Sequence, residues 1–277
     1  LTFDPAALGF DTRMPLKRPA FLPIISAASL ATTLARKANG SVDGFVIEGP
    51  TAGGHNAPPR GEPKFNERGE PLYSDRDNVD LAKLRELGLP FWLAGGSGSP
   101  ESLDQAIQLG AAGIQVGTLF AFCEESGFAD QLKRETLDRA ARNEVDVITD
   151  PRASPTGYPF KVVHWAGDET VFAERERKCD LGYLRNAFRR DDGKVDYRCA
   201  AEPVADYLRK GGKVEDTVGR RCLCNALTAN IDQAQARPEG KFEPPLLTSG
   251  DDLTRIASFL QRRQSYDASD VIDYLLS

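Results

Sequence analysis

The chain has 277 residues, 40% of them hydrophobic and 27% charged, with a formal net charge of -6 and five cysteines. That length and balance suit one large or two smaller globular domains, while the acidic excess excludes nucleic acid or an anionic membrane as the main partner, since both reward basic surfaces. No stretch nears the ~20 apolar residues of a membrane span and no leader-like segment opens the chain, so a cytoplasmic setting with reduced thiols is expected.

In chain order, FLPIIS (residues 21–26) reads as a strand. The ASLATTLARKANG after it sets Leu30, Ala31, Leu34, Ala35 and Ala38 on one helical face, with Gly40 as C-terminal cap. GFVIEG comes next: Phe45, Val46 and Ile47 show no polar alternation, which suits a strand covered on both faces. Beyond Glu48 the strand breaks into PTAGGHNAPPRG, where Gly53 and Gly54 permit backbone shapes closed to other residues and Pro58 and Pro59 stiffen the adjoining segment. His55 is therefore expected on a shaped loop at a strand's C-terminal end. VDLAKLRELG predicts a helix with Leu81, Leu84 and Leu87 inward and Gly88 at its close. PFWLAGG is a third strand. Ser99 then suits an N-cap and Pro100 the first helical position, and Leu103, Ala106 and Ile107 are expected to face inward before Gly110. GIQVGT (113–118) is a fourth strand.

Strands alternating with helices at this spacing imply a parallel α/β architecture, either an open doubly wound sheet or a barrel. Four units make half of an eight-stranded barrel, and half a barrel leaves open edges. The first residue is Leu1, not methionine. The expectation is that the first four strands lie elsewhere, in the same or a separate chain. From about residue 128 the pattern changes: ADQLKRETLDRAARNE reads as a helix, VDVITDPRASPTGYPFKVVHWAG as a proline-broken extended segment, and the remainder as polar with short helices. The final ASDVIDYLLS places Val271, Tyr274 and Leu275 on one face. Residues 1–127 are thus read as one unit and 128–277 as the last barrel helix and a mixed extension.

AGGSGS (94–99) directly follows a strand and opens a helix, and GIQVGT ends its strand with similar chemistry. Main-chain amides at such turns can hold a phosphate. The plain alternative is that these glycines only make tight turns.

Together, GFVIEGPTAGGH, PFWLAGGSGSP and LGAAGIQVGTLFAF resemble the second half of the nitronate monooxygenase (2-nitropropane dioxygenase) family, FMN-dependent barrels. Flavin-type enoyl-acyl carrier protein reductases share the same elements. The likeness is clearest from Pro19 to Phe122 and continues more weakly through ITDPRASPTGYPFK. It implies a (β/α)8 TIM-barrel fold of which this chain carries about strands five to eight, FMN phosphate held around Gly95, Gly96, Gly117 and Thr118, and Gly53 and Gly54 close to the cofactor. It also implies His55 as the catalytic base: nitroalkanes are carbon acids, and a neutral imidazole can take such a proton near neutral pH. The NAPPRG tail and the long loop to Asn78 depart from the family's short form, and nothing after His164 matches a family motif. Glu48 is left between substrate binding and loop orientation, and His164 is read as structural.

The function expected is oxidation of small nitronates or nitroalkanes by molecular oxygen through FMN. An NAD(P)H-dependent enoyl reductase and a non-catalytic scaffold subunit stand beside it as alternatives. Cys179, Cys199, Cys222 and Cys224 gather in the extension, whereas Cys123 stands apart. Four thiolates suit tetrahedral zinc or an iron–sulfur cluster, although the one-residue gap in RCLCN matches no standard metal motif and plain buried thiols are the other reading.

Overall fold

The computed structural model describes residues 4, 6–9, 17–168 and 175–277. Its N-terminal part is built on a four-stranded, all-parallel sheet in the order β1 (Ile24–Ile25), β2 (Phe45–Glu48), β3 (Phe91–Ala94), β4 (Gly113–Gln115). In register, Phe45 faces Phe91, Val46 faces Trp92, and Glu48 faces Ala94. Because every strand runs the same way, Glu48, Ala94 and Gln115 end on one rim, and the loops leaving them meet there.

Three helices cover the sheet: α1 (Ala28–Lys37), α2 (Leu81–Arg85) and α3 (Pro100–Gln108). Asp80 caps α2 by accepting from the amides of Ala82 and Lys83. Ser99 caps α3 by accepting from Ser102, with Pro100 in the first position, where its missing N–H costs nothing. Ala31, Leu84 and Ala106 join Ile25, Phe45, Ile47 and Phe91 in one apolar cluster. Each large buried side chain there contributes roughly 1.5–3 kcal/mol.

Several expectations are corrected, among them the fourth strand, which ends at Gln115 so that Thr118 opens a helix instead. The first strand is shorter than FLPIIS, with Phe21 and Leu22 exposed before it. Helix α1 ends at Lys37, with Ala38 rather than Gly40 at its cap. Ile107 is 52% exposed, because it lies one residue on from buried Ala106, about 100° round the helix and off the sheet-facing stripe.

The sheet leads through α4 (Thr118–Ala121) to α5 (Asp130–Ala141), and the proline-broken segment proves to be an antiparallel pair, β5 (Val145–Asp150) with β6 (Phe160–Trp165). A hairpin of β7 (Asn186–Arg189) and β8 (Val195–Arg198) comes after it. Short helices α6 (Val204–Arg209), α7 (Val214–Thr217), α8 (Leu223–Ala229), α9 (Ile256–Leu260) and α10 (Ala268–Leu275) complete the chain. As expected of ASDVIDYLLS, Val271 and Leu275 are buried and Tyr274 is partly so. The largest apolar cluster joins Leu119, Phe122 and Cys123 to Leu137, Val163, Leu253, Ile256 and Val271, so residues on both sides of position 127 share one core. Lys133, buried, is satisfied there by the carbonyls of Cys123, Glu124 and Ser126. Among the described residues no helix is long and apolar enough to cross a membrane.

Candidate active site

The rim of the parallel sheet carries two adjoining grooves that share Glu48. The smaller, about 360 Å³, is walled by all six glycine-loop residues singled out in the sequence: Gly53 and Gly54 after β2, Gly95 and Gly96 after β3, Gly117 and Thr118 after β4. The larger, about 520 Å³, holds His55 with Ile24, Tyr73, Tyr158 and Leu184 on its walls.

These glycines are present for different reasons. Gly95 and Gly96 have φ of +90° and +64°, where a side chain strains the backbone, and a Cβ on either would also press on the Thr51–Ala52 turn. Gly53 has no room, since its Cβ would stand 2.8 Å from both the Gly250 nitrogen and the Ser249 carbonyl carbon. Gly117 is unlike them. Its φ of −110° and ψ of −54° suit any residue, and a Cβ there would meet nothing within 4 Å. Neither strain nor packing calls for glycine at that point, so the missing side chain leaves room in the groove itself. A flat or phosphorylated cofactor held by main chain fits such a cradle. Among the described residues no lysine or arginine lines the groove, so an anion there would depend on amides.

A segment with no motif of its own in the sequence forms the floor. Thr248 accepts from the Gly54 amide through its hydroxyl (3.0 Å), Thr118 Oγ1 accepts from the Gly250 amide (3.1 Å), and the Asp251 amide donates to the Thr51 carbonyl (3.0 Å). Asp252 Oδ2 accepts from the Gly98 amide at the approach to α3 (3.1 Å), and Lys161, itself buried, pairs with Asp251 at 2.7 Å. The hint in the sequence was TSGDD, a run of hydroxyls, glycine and acids between apolar stretches.

His55 too is held by residues distant in sequence. Its Nε2 hydrogen-bonds Ser154 Oγ at 2.6 Å, and that hydroxyl in turn meets Thr156 Oγ1 at 2.7 Å. The ring stands edge-on to Phe160 with centroids 4.9 Å apart. Arg220 clamps the turn below through the carbonyls of Arg152 (3.0 Å) and Ser154 (2.7 Å). One ring nitrogen is therefore occupied, which fixes the ring's direction and leaves Nδ1 for other chemistry. Partial burial lowers the His55 pKa and raises those of Glu48 and Asp252, while Tyr73 is pushed up to about 12, first by burial and then by the Asp77 charge. The imidazole is thus kept neutral near pH 7. His164, read as structural, bonds the Asp168 carbonyl through Nε2 at 3.0 Å and lines neither groove.

The four extension cysteines lie apart from both grooves, and Cys123 is buried in the main core with its thiol donating to the Phe120 carbonyl. Among the described residues no three or more His, Cys, Asp or Glu side chains stand in metal-holding geometry.

Comparison with known proteins bears on the family and the fold. The family model described as nitronate monooxygenase matches residues 8–154, just over half the chain. A nitronate monooxygenase from Pseudomonas aeruginosa PAO1 is 37% identical over 124 residues, covering 43% of this chain and 32% of the relative. One from Paraburkholderia phytofirmans PsJN is 31% identical over 148 residues, covering 50% of this chain and 38% of the relative. The chain thus spans about a third of the length of these curated relatives. Among solved structures, FabK from Thermotoga maritima superposes over 93% of this chain and 60% of its own, with a TM-score of 0.51 and 16% identity, a likeness of fold.

Proposed function

We infer the function from one premise: this chain belongs to the nitronate monooxygenase family. On that footing we propose that it is part of an FMN-dependent oxidoreductase that oxidises small nitronates or nitroalkanes with molecular oxygen. The observation that carries the reading is the meeting of the six glycine-loop residues and His55 at one rim, with unfilled room at Gly117. Bound flavin would supply the electron chemistry, accepting electrons from the substrate and delivering them to oxygen.

The chain's own residues supply position and proton transfer. Gly95, Gly96, Gly117 and Thr118 would hold the cofactor's phosphate by main-chain amides, and Gly53 and Gly54 would let the loop approach its ring. His55, neutral because burial disfavours its charged form, would take the acidic carbon proton of a nitroalkane at Nδ1 while Ser154 steadies Nε2. Nitronates, already deprotonated, would need only the pocket.

The fold reading extends in the same way. The four parallel strands correspond to strands five to eight of a (β/α)8 barrel, whose other half would come from further polypeptide of the same or a separate chain. In support, β1 and β4 each pair on one side only among the described residues, and Ile24 of β1 is 54% exposed. Purified protein should carry a flavin absorbance band that bleaches anaerobically on adding a nitronate and recovers with oxygen. A flavin-free protein that fails to take up FMN, or a flavin reduced by NAD(P)H and inert to nitronate, would overturn the proposal.

A further inference from the structure

Glu48 stands where the two grooves meet, half-buried at the C-terminal end of β2. Among the described residues no hydrogen bond or ion pair reaches its carboxylate. The loop that follows is oriented without it, by main-chain bonds from the Gly49 amide to the Ala94 carbonyl (3.0 Å) and from the Ala52 amide to the Gly49 carbonyl (3.2 Å). Of the two roles left to Glu48 by the sequence, holding the loop is thereby set aside and binding a ligand is left. A half-buried carboxylate without a partner costs stability, and in a cleft such a group marks a place where a ligand supplies the partner.

A second acceptor of the larger groove is in the same state. Asn56 is 2% exposed and lines that groove. Its main-chain amide donates to the Pro159 carbonyl (2.9 Å) and its Nδ2 to the Ala52 carbonyl (3.0 Å), which fixes the orientation of the side chain and leaves Oδ1 buried without a partner. Side-chain donors around the groove are, by contrast, already engaged. Arg60 turns its guanidinium onto the carbonyls of Arg76 (2.5 Å) and Ser26 (2.7 Å), Tyr73 donates to the Ala57 carbonyl (3.0 Å), and Thr156 Oγ1 shares a bond with Ser154. The hydroxyls of Ser26 and Tyr158 remain, and a hydroxyl accepts as readily as it donates. Charge points the same way. Among the described residues the groove is lined by two carboxylates, Glu48 and Asp77, and one arginine, Arg60. Asp77 is spent inside the protein, accepting from the amides of Arg60 and Ser74 (2.7 Å each), so the charge left for a ligand is that of Glu48.

We propose that the His55 groove takes a ligand carrying a protonated amine, held by the Glu48 carboxylate and Asn56 Oδ1, with its apolar remainder along Ile24, Ile25 and Leu184. Resting on the proposed function, this makes the substrate an ammonium-bearing nitroalkane or nitronate. Substrate rather than cofactor is the partner, because Glu48 and Asn56 come together in the larger groove and Asn56 does not line the glycine groove. An ammonium is favoured over a neutral hydroxyl because it also cancels the Glu48 charge. That charge would otherwise oppose the negative charge that grows on a nitroalkane as His55 takes its proton. Anionic substrates meet the reverse, an unpaired carboxylate beside a guanidinium already committed to carbonyls.

The test is calorimetric titration of the protein as purified, at about pH 8 so that Glu48 is ionised, with three ligands of one chain length: n-hexylamine, n-hexanol and hexanoate. The amine should bind about tenfold or more tightly than the alcohol, and hexanoate more weakly than either. Glu48→Gln, which breaks no bond within the protein, should abolish the preference for the amine. Turnover then reads the same contact: the wild-type kcat/KM for 3-nitropropylammonium should exceed that for 1-nitrobutane, chiefly through KM, and Glu48→Gln should remove the difference. Equal binding of the three ligands would overturn the proposal. So would an amine preference that survives in Glu48→Gln, which would belong to the acidic surface as a whole, or a Glu48→Gln protein that loses affinity for FMN and keeps it for the amine. Glu48-dependent amine binding without turnover of either nitro compound would uphold the groove assignment and overturn the oxidation reading instead.

Discussion

Replacing Gly117 by alanine should stabilise the cofactor-free protein and weaken its hold on flavin, two effects of opposite sign from one methyl group. The backbone at Gly117 lies where alanine is unstrained, and the added carbon would meet nothing within 4 Å. The folded state therefore loses nothing, and the unfolded chain loses freedom worth about 0.4–1 kcal/mol. For a chain of this size that raises the melting temperature by roughly 1–4 °C. In the groove the same methyl takes space the proposal gives to the cofactor, and overpacking costs about 1–3 kcal/mol, equal to a loss of roughly 5- to 150-fold in affinity. The assays are thermal melting without flavin and fluorescence titration with FMN. Gly53→Ala is the control, because its Cβ would collide with Ser249 and Gly250 and should destabilise the protein by about 1–3 kcal/mol. A Gly117→Ala protein that melts higher and binds FMN within about twofold of wild type would show that the room at Gly117 is not a ligand's.

Exchanging His55 for asparagine should slow turnover of a neutral nitroalkane by roughly 100-fold or more while sparing the pre-ionised nitronate, since only the first needs a base; equal losses on both would assign His55 to binding. Because burial lowers its pKa, wild-type turnover of the nitroalkane should rise with pH through a midpoint below about 6.5 and be flat above it, and a midpoint above about 7 in a pH–rate profile would contradict this. Glu48→Gln should raise the melting temperature at pH 7. Its folded pKa is raised by burial, so its ionised form opposes folding above the unfolded value, and the difference should vanish as pH falls below about 4.5; a variant that melts lower at pH 7 would refute the argument. Arg220→Ala removes bonds to the carbonyls of Arg152 and Ser154 and should cost about 1–3 kcal/mol in a denaturant titration, with a result inside about 0.3 kcal/mol counting against the clamp.

The features legible in the sequence were local. Phe45 to Ile47 read as a strand covered on both faces because no polar residue interrupts them, and Ser99 followed by Pro100 announced the start of α3 with chemistry that acts within three residues. The glycine loops and His55 were legible because each lies directly after its strand and a parallel sheet sends all such loops to one rim. The features that escaped notice were non-local. Ser154 reaches His55 across 99 positions, β5 pairs with β6 through a turn hidden in a proline-broken run, and the Thr248–Asp252 floor comes from the far end of the chain. Ile107 shows the opposite error, an apolar residue assigned inward by periodicity when the helix is covered on only one side.

That floor has a consequence for how the protein is made. The bond from Gly54 to Thr248 spans 194 residues and that from Gly250 to Thr118 spans 132. A ribosome adding ~5–20 residues per second needs about 10–40 s to travel from the glycine–histidine loop to the segment that closes it. Throughout that interval the emerging sheet and its three helices can pack, because their partners are near neighbours, while the groove stays bottomless. On the proposed function, flavin capture would wait until residues 248–252 emerge: ribosome-bound chains stalled before residue 248 should release FMN readily, and those stalled late enough to expose residues 248–252 should retain it.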